Sequence, residues 1–142
     1  MSKSNTFEND LLLLIFQATT IANLAINATS SPLTALFVAL HTADPGEAGD
    51  QTTSEATYGS YARVSVARTS GGWTVTGNSV SPAANIDFPA ASSGTNTITH
   101  ASVGVAASST SKILYSGTVT PNISVSSGVT PRLTTASTIT ED

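Results

Sequence analysis

From residue 35 onward the chain breaks into short β-branched and aromatic runs separated by Ser, Gly, Asn and Pro, and this punctuation limits the fold more than any other feature. Threonine and valine suit a pleated, half-buried surface, whereas Ser, Gly and Asn supply the turns between such segments. Residues 35–42 (Ala-Leu-Phe-Val-Ala-Leu-His-Thr) form the near-continuous apolar run expected of a buried strand. A Pro45-Gly46 turn ends it, and a polar loop continues to about Thr57. Residues 61–68 alternate, with Ala62, Val64 and Val66 on one face and Arg63, Ser65 and Ala67 on the other. Beyond Gly71-Gly72, Trp73 and Val75 share a face, and Gly77-Asn78 reads as a hairpin turn into Val80. Further strands are expected at 86–88, 98–105, 112–120, 122–130 and 132–140. The whole reads as a mainly β chain, an antiparallel β-sandwich, with the jelly roll among the arrangements that fit. No internal repeat aligns.

The first thirty residues follow a different grammar. Asn5 with Glu8 three residues on gives an N-cap and a capping-box-like partner, and Glu8 and Asp10 suit the positive end of a helix dipole. Leu11, Leu12, Ile15 and Phe16, with Thr19 and Ala22 beyond, fall near one helical face. That face is expected to cover the β domain. Leu13 and Leu14 point elsewhere, giving the helix a second apolar face suited to a partner subunit. The expected division is an N-terminal helical segment, 1–30, and a β-sandwich domain, 31–142. The apolar run at 11–16 is far short of the roughly 20 residues that span a bilayer. Glu8 and Asp10 precede it where a signal peptide carries positive charge, so the expectation is a mature, soluble start with no membrane partner.

Composition narrows the partners. A length of 142 residues is that of one ordinary domain. Only 10% of residues are charged, well below the roughly 25–35% of a typical soluble surface. Low charge removes the repulsion that keeps monomers apart, which favours a component of an assembly and self-association as a homodimer or homotrimer. The net charge is −4 and the basic residues are five scattered ones, Lys3, Arg63, Arg68, Lys112 and Arg132, so no cluster suits a nucleic-acid backbone. The absence of cysteine removes disulfides and thiolate metal sites.

Residues able to carry chemistry are few. His41 ends the apolar strand and His100 sits in another, but neither shows the spacing of a nucleophile, base and oxyanion hole. Asp44, Glu47, Asp50 and Glu55 make an acidic loop that lacks the alternating carboxylates and late Glu of an EF-hand. No phosphate-binding glycine motif is present. The expectation is a protein with no catalytic residue, no cofactor and no metal. Trp73 reads as core, whereas Tyr58, in a loop beside Gly59, reads as a contact residue. The candidate protein-contact residues are Leu13, Leu14, Asp44, Glu47, Tyr58 and Arg63.

Several segments together carry a resemblance. They are Asn-Thr-Phe-Glu-Asn-Asp-Leu-Leu at 5–12, Leu-Phe-Val-Ala-Leu-His-Thr-Ala-Asp-Pro-Gly-Glu-Ala at 36–48 and Tyr-Ala-Arg-Val at 61–64. Gly-Trp-Thr-Val at 72–75, Phe-Pro-Ala at 88–90 and Leu-Tyr-Ser-Gly at 114–117 complete the set. In order and over nearly the whole chain these resemble a family of small tailed-phage virion proteins whose members are often labelled tail fibre proteins. The His-Thr-Ala-Asp-Pro-Gly segment is the most specific part. The size and expected sandwich are also similar to capsid cement, or decoration, proteins. That resemblance implies a protein made in the host cytoplasm and bound to the outer surface of the phage head, bridging subunits of the major capsid protein and stabilising the shell. The alternative it implies is a tail or tail-fibre component. No catalytic residue transfers from the family.

Overall fold

The computed structural model describes residues 3–141. Its elements in chain order are α1 (Asn5–Gln17), β1 (Ala35–His41), β2 (Val64–Ala67), β3 (Trp73–Thr76), β4 (Ser79–Pro82), β5 (Ile86–Asp87), β6 (Asn96–Gly104), β7 (Ile113–Val125), β8 (Arg132–Leu133) and β9 (Ile139–Thr140). The fold is mainly β, with antiparallel sheets and one N-terminal helix. The chain divides into two compact units, each assembled from separate stretches of sequence.

The first unit comprises Met1–Ala35, Val66–Asn85 and Leu133–Asp142. Its helix is capped one residue earlier than expected. Ser4 holds an extended backbone and its hydroxyl accepts from Phe7 N at 3.4 Å, whereas Asn5 is already helical. Ala18 ends α1 in the left-handed region, at φ 57°. The last carbonyls are satisfied from afar: the Arg68 guanidinium donates to Leu14 O and Ile15 O at 2.7 and 2.6 Å, and also to Leu33 O and Asn27 Oδ1. A cation at that end also complements the helix dipole.

Glu8, Leu12 and Phe16, four residues apart, form the buried stripe of α1, which packs on the β3–β4 hairpin. The Phe16 ring meets Trp73 edge-on, with centroids 4.8 Å apart. Trp73 is core, as expected, and its Nε1 has no hydrogen-bond partner among the described residues. The two-residue turn at Gly77-Asn78 has Gly first at φ 60°, the type II′ pattern that fits strand twist. β9 adds to β4 through Val80 opposite Ile139, giving the sheet order β3-β4-β9.

The second unit comprises Leu36–Ser65 and Ile86–Arg132. Its main sheet has the order β2-β1-β6-β7. Pairing of Val38 with Val103 and Leu40 with Ala101 sets one apolar face. Ala39 opposite Ser102 and His41 opposite His100 set the other, and Ser116 and Thr118 of β7 continue that polar side. A smaller pair joins β5 to β8. Two sequence expectations are revised here. The strands expected at 112–120 and 122–130 are one strand, β7, running through Pro121. Pro121 is tolerated because it lies on the edge strand where the register with β6 shifts, between the Thr118–His100 and Ile123–Ile98 pairs, a bulge that needs no N–H from it. The strand expected at 132–140 is two, β8 and β9, separated by a turn in which Ser137 N donates to Thr134 O.

Candidate functional site

The second unit holds a buried polar cluster under the loop that follows β1. His41 is fully buried at the end of that strand. Its Nδ1 lies 2.8 Å from Thr53 O, which can only accept, so Nδ1 carries the proton and Nε2 accepts from Ser102 Oγ at 2.7 Å. Ser102 Oγ in turn accepts from Gln51 Nε2, which also donates to Phe37 O. Gln51 reaches this position because Gly104 stands below it: a Cβ there would lie 2.2 Å from Gln51 Cδ. Neutral His41 therefore completes the network, and burial pushes its pKa below the ordinary value.

Arg63 closes the other side. Its five donors all find acceptors: Nε and Nη2 on the two carboxylate oxygens of Glu55 at 2.7 and 2.9 Å, Nη1 on Gln51 Oε1 and Ala106 O, and Nη2 also on Ser109 O. The Glu55 carboxylate raises the guanidinium pKa still further. Tyr61 bridges this ion pair to the sheet, donating to Glu55 Oε1 and accepting from Leu40 N, both at 3.0 Å. Burial raises the Tyr61 phenol well above the usual range. The cluster thus ties the loop, the connection between β6 and β7 and the centre of the sheet together through charge-assisted bonds.

A serine 2.7 Å from a histidine has the spacing of a nucleophile and its base. Here both side chains are sealed, Ser102 at 2% exposure and His41 at 0%, and the third partner is a backbone carbonyl rather than a carboxylate. A substrate has no approach to Ser102 Oγ in this arrangement. Among the described residues, no group of three or more His, Asp or Glu is placed to hold a metal ion, and no helix is long and apolar enough to cross a membrane.

Outside the cluster, the loop crosses the polar side of β6 and β7 and leaves an open groove of about 480 Å³. Asp44, Gly46, Glu47 and Gly49 form one wall, and His100 with residues 113–118 forms the other. Asp44 Oδ1 accepts from Gly46 N and fixes the turn, and Asp50 Oδ1 does the same for Thr52, whose hydrogen bonds lower the Asp50 pKa. The His100 ring is anchored through Nδ1 to Thr99 Oγ1 at 2.9 Å.

The residues singled out in the sequence separate accordingly. Asp44 and Glu47 come together on the exposed groove wall. Leu13 and Leu14 are half-buried on α1, off the stripe that faces the hairpin. Tyr58 and Arg63 are corrections, because both lie inside. Tyr58 is 3% exposed, with its hydroxyl donating to Pro89 O and its ring edge-on to Tyr61, and burial pushes its pKa up to about 12. Arg63, 8% exposed, spends every donor within the chain. Gln51, Ser102 and Tyr61 belong to the cluster and were not among the sequence candidates. The one sequence signal for them was a Gln in an otherwise Ser- and Thr-rich loop.

Comparison with known proteins supplies the context for this geometry. No curated protein matches the chain. The family model described as "Podophage GP4 fiber I protein gp80" matches residues 2–140, from one end of the folded chain to the other. With nearly every residue inside that match, the chain belongs to the podophage GP4 fiber I protein gp80 family and is a structural protein of tailed-phage particles.

Proposed function

We propose that the chain is a fibre-type structural subunit of a tailed-phage particle, acting by protein–protein contact and carrying no catalysis. The observation that carries this reading is the family match over residues 2–140, whose description names a fibre. The site geometry agrees with it in kind. The polar residues that resemble catalytic groups are sealed and committed to holding a loop, while the open groove offers carboxylates, hydroxyls and strand backbone to a partner. Such contacts are individually modest and gain strength by repetition in a symmetric particle.

A second reading is a capsid cement protein that bridges major capsid subunits on the outside of the head. It is favoured by the net charge of −4 and by the small share of charged residues, which suit a position away from packaged DNA. Quantitative mass spectrometry of purified particles, with antibody labelling to locate the protein, separates the two. A handful of copies at the tail is the outcome expected for a fibre subunit. Hundreds of copies spread over the head would establish the cement reading instead, and absence from particles would defeat both.

A further inference from the structure

We infer that the groove beside the loop at 44–49 receives an arginine side chain, presented by an extended segment of a different protein of the particle. The inference rests on the reading of the chain as a subunit that works by protein–protein contact, and it names the chemistry of that contact. The groove lies wholly within the second unit. Its wall carries Asp44 and Glu47, both exposed. Its floor follows from the register of β6 and β7. His100 stands opposite Thr118 and Ser102 opposite Ser116, so the His100 ring and the hydroxyls of Ser116 and Thr118 share one face.

These groups differ from the other polar residues of the unit in being uncommitted. Glu55 is taken by Arg63 and Tyr61, Asp87 by Arg132, and Asp50 by Thr52. Asp44 spends Oδ1 on Gly46 N and keeps its other oxygen open, and His100 spends only Nδ1, on Thr99. Glu47, Ser116 and Thr118 make no side-chain hydrogen bond or ion pair among the described residues. Lys112, exposed immediately before β7, pairs with neither carboxylate. The groove therefore offers two unpaired negative charges on one side and hydroxyl acceptors on the other.

Those acceptors select the occupant. Among the described residues no group of three or more His, Asp or Glu is placed to hold a metal ion, so the cation is organic. A nucleic-acid backbone would meet carboxylates where it needs positive charge. A saccharide would gain most from an aromatic floor, and by strand alternation Tyr115 shares the face of Val103 instead. A guanidinium is planar, permanently charged and rich in N–H donors. Its fork can give a carboxylate two parallel bonds and still reach hydroxyl oxygens. A volume of about 480 Å³ suits one long side chain and the backbone that carries it. Contact is made by side chains in the groove and asks for no strand pairing along the outer edge of β7.

The test titrates the full isotope-labelled chain with the end-capped peptide Gly-Ser-Arg-Ser-Gly, up to about 10 mM, following backbone amide shifts by NMR. Saturable shifts confined to residues 44–49 and 113–118 are expected, weakening as salt is added. Citrulline in place of the arginine keeps the shape without the charge, and is expected to abolish them. Glu47→Gln is expected to weaken binding by about threefold or more. Asp44→Asn, which keeps an acceptor for Gly46 N, is expected to act in the same direction. Asp10→Asn, on α1, changes the net charge equally and should leave binding unchanged. No saturable shift at the groove, equal binding of the citrulline peptide, or a wild-type response in both groove variants would each overturn the inference. So would equal loss with Asp10→Asn. Counting and locating copies in particles tests the fibre reading separately, and either result can fail while the other stands.

Discussion

The two units solve the same problem by different means. The first buries apolar side chains along a helix stripe against a hairpin, with Leu12 and Phe16 fully buried and Trp73 nearly so. Its strands are short, from two to four residues. The second also has an apolar face, but on the opposite side of its main sheet it buries a histidine, a glutamine, an arginine and a serine. Apolar burial is non-directional and scales with area, whereas a buried polar network fixes one arrangement and is costly when any member is lost. The second unit also carries the open groove and the one long uncharged edge strand. The contrast suggests a division of labour: apolar packing provides stability, and the polar cluster holds the surface that meets a partner in a single shape.

That contrast is broken most severely by removing Arg63. Arg63→Ala strips the guanidinium donors from Glu55, from Gln51 Oε1 and from the carbonyls of Ala106 and Ser109 at one stroke, leaving Glu55 only the Tyr61 hydroxyl among these donors. Loss of one partner of a buried pair costs about 3–5 kcal/mol, and chemical denaturation should show a loss of that size. In the first unit the matching change is Leu12→Ala, which removes a fully buried leucine from the α1 stripe. A loss of about 2–4 kcal/mol is expected from the lost burial and the cavity left behind. The two variants differ in chemistry as well as size. Arg63→Met, which keeps volume and discards charge, should still be destabilised because Glu55 remains, while Leu12→Met should be nearly harmless.

How far the sequence reveals each unit follows the same line. The hairpin at Gly77-Asn78, the core position of Trp73 and the start of β1 at Ala35 were all legible, because turn chemistry and local periodicity determine them. The cluster was not. Arg63 and Tyr58 read as surface residues because charge and loop position normally mean exposure, and their burial depends on distant partners. Glu55 lies eight residues from Arg63, while Asn96 Oδ1 accepts from both Thr57 N and Tyr58 N across 38 residues or more. The continuity of β7 was hidden by Pro121, which stops most strands and is accommodated here at a bulge of the edge strand, a fact of topology rather than of local sequence.

A gentler probe of the contrast is pH. Burial keeps the folded His41 neutral, so its pKa lies below 6.5, the value expected once the chain unfolds. The unfolded chain takes up this proton first, so the contribution is complete above pH 6.5 and is lost as pH falls toward the folded pKa. The slope cannot exceed about 1.4 kcal/mol per pH unit for one group. Denaturation curves between about pH 7 and 5 should show this slope in the wild type and its removal in His41→Gln, in a background whose lower stability is measured separately. An unchanged slope would place the proton-linked group elsewhere.

The division of labour is tested most directly by hydrogen exchange on the protein free and assembled in particles. The account predicts added protection along residues 113–120 and in the loop at 44–49, with the already protected amides of α1 and of the cluster unchanged. Protection gained only on α1 around Leu13 and Leu14, with β7 exchanging as in the free protein, would contradict it.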